Sequence, residues 1–168
     1  MALAKIYRTN TESFIQFIES IPDELFDTKP DKNIWSAAEN VEHIIRSEFG
    51  TARLFNSETK KEPGREYESK IEEIKTRFSD RSDKLQAFGV VLPTEEKKTK
   101  EELIEKFQRS REEVLKLIKQ QDPDEVCMKF KHPLFGHMTR REWIHFNIVH
   151  TNRHKDQIED LLVSLNKM

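Results

Sequence analysis

The sequence predicts an all-α four-helix bundle with one shorter helix in a connection. Apolar residues recur at three- and four-residue spacings through four long segments, and three Ser/Thr-x-x-Glu signatures mark helix starts. The composition agrees: 35% hydrophobic and 36% charged residues with four glycines suit amphipathic helices with solvated outer faces. At 168 residues the chain is read as one domain, residues 1–168, able to bury a core without disulfides.

The first helix is predicted over 3–20, where Leu3, Ile6, Tyr7, Phe14, Phe17 and Ile18 form a stripe that Pro22 ends. Residues 21–35 hold two prolines and a DKN cluster, and are expected to be a connection with a turn of helix around DELF. SAAE, residues 36–39, is a capping box in which the Ser36 hydroxyl accepts from the Glu39 amide and the Glu39 carboxylate reaches back. A second helix therefore starts at 36 and is expected to run to about Ser57, before the breaker KKEPGRE. A shorter helix over 67–85 carries Ile71, Ile74 and Phe78 on one stripe.

FGVVLPTEEKKT is a connection, and Thr99 with Glu102 opens a helix over 100–120 with Leu103, Phe107, Val114, Leu115 and Ile118 on its apolar face. Between Asp122 and Met138, Val126, Met128 and Phe130 alternate with Cys127, Lys129 and Lys131, and Pro133 and Gly136 interrupt regular structure. An extended loop with room for a short strand is expected there. Thr139 and Glu142 open the last helix, which can continue to Asn166.

The net charge of −2 provides no global field, and the runs KKEPGREYESK and EEKKTKEE alternate in sign. On this ground neither nucleic acid nor a membrane surface is expected as a partner, and a small-molecule substrate is. The N-terminal segment lacks a signal-peptide apolar run and no stretch approaches the ~20 apolar residues of a span, so a cytoplasmic location is expected. The lone Cys127 offers neither an intrachain disulfide nor a cysteine zinc cage and reads as a buried small hydrophobe. Trp35 and Trp143, beside apolar helix faces, read as core.

HFNIVHTNRH, residues 145–154, places three histidines within ten residues. With His150 at zero on a helical projection, Trp143 and Leu161 fall near about 20°, His154 near about 40° and Ile158 near about 80°. Glu159 falls near about 180° and His145 near about 220°, so His145 is expected to face solvent and the other two the core. An inward i, i+4 histidine pair either binds a metal or is satisfied by hydrogen bonds within the core. The same projection turns His43 of the second helix inward. Three inward histidines on two helices are hard to satisfy separately, and convergence on one cation accounts for them together. His132 and His137, flanking Pro133 and Gly136, are expected to be exposed turn residues.

WSAAENVEHI (residues 35–44) and HTNRHKDQIEDLL (residues 150–162), in this order and with HPLFGHMTRREW between them, resemble the DinB-like superfamily, including YfiT-type metal-dependent hydrolases. The resemblance implies a helical bundle holding a divalent metal, zinc or nickel, on His43, His150 and His154, and a homodimer. Activities near this fold include hydrolysis and S-transfer with low-molecular-weight thiols such as bacillithiol. The expected function is therefore a metal-dependent enzyme that activates water or a thiol for hydrolysis. The alternatives are a bacillithiol-type S-transferase and a non-catalytic binding or stress-response module with a structural metal. Glu39 lies one turn before His43, but its capping role accounts for it, and no catalytic acid or base is assigned. Asn40, Asn147 and Gln157 are candidates for orienting the imidazoles.

Overall fold

All three predicted capping boxes close in the structure, a computed structural model that describes residues 2–80, 87 and 89–167. Ser36, Thr99 and Thr139 each accept from the amide three residues on, and Glu39, Glu102 and Glu142 return the bond to the cap amide. The helices they open are α3 (Ala37–Glu48), α6 (Lys100–Gln120) and α7 (Arg140–Leu165). The first helix, α1, spans Ala2–Ser20, and the DELF turn forms α2 (Asp23–Phe26).

The second predicted helix does not run unbroken to Ser57. It pauses at Phe49 and Gly50 and resumes as α4 (Thr51–Phe55). Glycine is a poor helix former, and the break leaves Phe49 outward, 72% exposed, while Thr51, Ala52, Leu54 and Phe55 turn into the core. The helix predicted over 67–85 is α5 (Ile71–Ser79), with Ile71, Ile74 and Phe78 buried as its stripe requires. Residues 81–85 of that expectation lie outside the described residues, as does Phe88 of the FGVVLP connection. The rest of that connection contains a single 3-10 turn, Gly89–Val91.

The expected extended loop after α6 contains a short strand, β2 (Val126–Cys127), which pairs antiparallel with β1 (Thr59–Lys60) in the register Thr59↔Cys127, Lys60↔Val126. Among the described residues the fold is all-α apart from this pair and two isolated bridges, Val126 with Thr139 and His132 with Gly136. Helices α1 and α3 each pack on α6 and α7, α4 packs on α6, and α5 lies along α7. No helix among the described residues is long and apolar enough to cross a membrane.

The core is divided along the bundle. One apolar cluster gathers Tyr7, Phe55, Val114 and Ile144, and another gathers Phe14, Ile44, Phe107 and Ile158. Along each long helix, between residues of the two clusters, lie buried polar side chains: Thr11 from α1, His43 and Glu48 from α3, Arg111 from α6, and His150, Thr151 and His154 from α7. Here, in this polar layer, the bundle departs from an ordinary hydrophobic interior, as it does again at the start of α7, where Thr139, Arg140 and Glu142 are buried.

Candidate metal centre

Helix periodicity places the three inward histidines, and the bundle brings them together. His150 and His154 stand one turn apart on α7, and α3 crosses so that His43 meets them; all three are buried, at 5 to 6% exposure. The Nε2 of His150 lies 3.1 Å from that of His43 and 3.2 Å from that of His154. One ligand atom from each histidine lies within 4.8 Å of the others, so the three buried side chains could hold a metal ion. No carboxylate or thiol belongs to this cluster among the described residues.

The far side of each ring decides what the near side offers. His43 Nδ1 lies 2.8 Å from the Val91 carbonyl, an obligate acceptor, so that nitrogen carries the proton and donates. His154 Nδ1 lies 2.8 Å from Asn40 Oδ1. Asn40 Nδ2 donates to the Ser36 carbonyl at 2.9 Å, which turns the amide so that its oxygen faces His154. Both Nε2 atoms are therefore bare lone pairs aimed at His150. The Nδ1 of His150 is buried without a hydrogen-bond partner among the described residues.

Electrostatics keep the rings neutral. Burial depresses the pKa of His43, partly offset by the bond to Val91. Burial pushes His150 well below the ordinary range, helped by its neighbours His154 and His43 and by Arg111 and Arg153. His154 is lowered to about 3 by burial, then by His43 and Arg153. Neutral imidazole is the form a metal ion requires.

Aromatic rings enclose the cluster. Trp35 lies 5.0 Å from His43 and stacks near His154 at 6.3 Å, Phe146 stacks on His150 at 5.6 Å, and Phe78 meets His150 edge-on at 5.7 Å. Trp35, expected in the core, is instead half-buried over two of the histidines. Ser47, one turn after His43, places its hydroxyl 3.5 Å from His43 Nε2. Of the three candidate orienting amides, Asn40 holds His154 and Gln157 also interacts with it, whereas the Asn147 amide reaches Thr51 at 3.4 Å.

The remaining histidines fall outside the cluster. His145 is half-buried rather than solvent-facing, because α5 covers that flank of α7. His132 is no exposed turn residue: it stacks on Phe135 and meets Trp143 and Phe146, and burial, with Lys70, lowers its pKa to about 4. His137 is likewise half-buried, with Nδ1 3.3 Å from the Cys127 carbonyl. Cys127 and Trp143 are buried, as expected.

Arg111 and Glu48, neither singled out by the sequence reading, form an ion pair in the same polar layer. Two nitrogens of the guanidinium meet the two carboxylate oxygens at 2.6 Å, and the group also donates to Thr151 Oγ1 at 2.6 Å. Their positions carried the signal: Arg111 falls four residues after Phe107 and three before Val114, within the apolar stripe of α6.

Comparison with known proteins gives a consistent fold. The chain is 24% identical over 144 residues to the uncharacterized protein YuaE of Bacillus subtilis (strain 168), covering 86% of this chain and 87% of that protein. The crystal structure of the colibactin self-resistance protein ClbS in complex with a dsDNA is similar with a TM-score of 0.57 and 17% identity, over 95% of this chain and 93% of that one. The expectation of a partner set without nucleic acid is thereby overturned. A protein of this fold was crystallised with duplex DNA, and net charge sums over a whole surface without describing any one face of it. The DinB superfamily matches residues 6–158, nearly the entire length that carries the bundle and all three histidines, and the chain belongs to that superfamily.

Proposed function

We propose that this protein is a metal-dependent enzyme of the DinB/YfiT type in which His43, His150 and His154 hold one divalent ion through their Nε2 atoms. The observation that carries the reading is the pair of oxygens set against the Nδ1 atoms of two of the rings, from which their tautomers follow. Val91 and Asn40 take the Nδ1 protons of His43 and His154, which leaves two lone pairs facing His150 Nε2 at 3.1 and 3.2 Å. A single proton on His150 can satisfy only one of them, and the Ser47 hydroxyl reaches His43 Nε2 only at the long distance of 3.5 Å, whereas one cation satisfies all three nitrogens. Imidazole donors suit zinc and nickel, which are the two candidates.

A bound divalent ion supplies Lewis acidity, lowering the pKa of water or of a thiol so that hydroxide or thiolate is available near neutral pH. The chain's own contribution is to hold the ligand rings neutral and oriented, with Trp35, Phe78 and Phe146 packed around them against bulk water. Hydrolysis is the leading reaction, with thiol S-transfer as its rival on the same site.

Elemental analysis of untagged protein purified without chelator, beside a His150→Ala variant, tests the site. The expected result is a near-stoichiometric metal that the variant loses. Wild-type protein that neither carries nor tightly binds zinc or nickel would sink the reading. Ester and amide panels against thiol-plus-electrophile panels separate the two reactions, and the likeness to ClbS supports a duplex-DNA binding assay beside them. Metal without turnover in either panel would favour a structural ion in a binding module.

A further inference from the structure

The carbonyl that fixes the tautomer of His43 comes from a segment with little hydrophobic anchorage of its own. No residue between Gly89 and Lys98 is buried: Val90 is 81% exposed, Leu92 is 40% exposed, and neither apolar cluster of the bundle includes a side chain from this stretch. Hydrophobic packing therefore does little to hold the Val91 carbonyl 2.8 Å from His43.

Polar bonds from α3 do hold it. Glu42, next to His43 and only 6% exposed, accepts from the Thr94 amide at 3.1 Å and from the Thr94 hydroxyl at 3.1 Å. Its carboxylate also pairs with Lys98 Nζ at 3.0 Å. One turn further along the helix, Arg46 Nε donates to the Val90 carbonyl at 2.8 Å, and its NH1 lies 3.8 Å from Glu42. Glu42 and Arg46 thus bracket the Val91 carbonyl in sequence, binding the residues on either side of it. His154 is different, since its acceptor, Asn40, stands on α3 itself.

We propose that Glu42 and Arg46 are positioning residues for His43: by fastening residues 90–98 to α3 they place the Val91 carbonyl on Nδ1, and so keep Nε2 a bare lone pair able to ligate a cation. Neither side chain touches the ligand nitrogens. The inference rests on the three-histidine cation site proposed above, yet the tautomer it predicts exists without the ion and can be read separately.

The test uses the full-length metal-free protein, labelled with nitrogen-15, and long-range proton–nitrogen correlation of the imidazole rings at neutral pH. Wild type should show His43 protonated at Nδ1. In Glu42→Ala, His43 should shift toward the Nε2-protonated form while His154 stays at Nδ1, an internal control that general loosening of the fold would not spare. Zinc affinity, measured by chelator competition, should fall by about 10–100-fold, the usual consequence of losing an outer-shell partner. Arg46→Met, which leaves Glu42 paired with Lys98, should move both readouts in the same direction and decides the matter if Glu42→Ala does not fold. An unchanged His43 tautomer in the folded variants overturns the proposal, whatever happens to affinity. A tautomer shift in the variants, beside wild-type protein that binds neither zinc nor nickel, would uphold the positioning role and reject the metal reading.

Discussion

At the residue scale, the chemistry of this protein depends on which nitrogen of each imidazole carries its proton. The depressed histidines also tie stability to pH. His154, lowered to about 3, and His132, lowered to about 4, remain neutral in the fold, while in the unfolded chain each titrates near the ordinary histidine value of 6.5. Below that value the unfolded state binds more protons than the native state, so stability is complete above pH 6.5 and is lost as pH falls toward 3. The urea midpoint of metal-free protein should therefore be lower at about pH 5.5 than at about pH 7.5, a window above the ordinary carboxylate range. A midpoint that does not move would mean these rings take up protons in the native state as readily as in the unfolded one.

At the element scale, the capping boxes made helix starts readable to the residue, because the cap side chain and its partner three positions on are both written locally. The interruption between α3 and α4 was not readable in the same way. Gly50 was visible, but whether a helix passes through a glycine depends on what the flanking turns bury. Gly50 has helical φ and ψ of −85° and −8°, and a β-carbon built there would meet nothing within 4 Å. Gly50→Ala should consequently stabilise the protein by about 0.4–1 kcal/mol through the unfolded state, measured by chemical denaturation. Destabilisation would show instead that the bundle needs the break to be pliable.

At the scale of the whole molecule, the buried polar layer is what the tertiary fold must solve. Arg111 is 1% exposed and Glu48 2%, and the pair is completed by Thr151 at 2.6 Å and Asn10 at 3.1 Å. The Arg111 guanidinium also lies 4.4 Å from the Tyr7 ring centroid and 4.8 Å from that of Phe107. Arg111→Met would strand the Glu48 carboxylate in the core and should cost about 3–5 kcal/mol in urea unfolding. Pairing it with Glu48→Leu should recover part of that loss, since the stranded charge is gone; a double variant as unstable as the single would contradict this account.

The amino-acid sequence by itself determined the fold class, most helix boundaries and the inward direction of His43, His150 and His154, because helix period and caps are local properties of the chain. Only the tertiary structure decided that the three rings meet at Nε2, that Val91 and Asn40 set two of their tautomers, and that Trp35 covers two of them. The Val91 contact joins residues 48 positions apart through a segment with no periodic pattern. A helical projection gives the direction in which a side chain leaves its own axis, and the neighbour it finds there depends on how the helices cross.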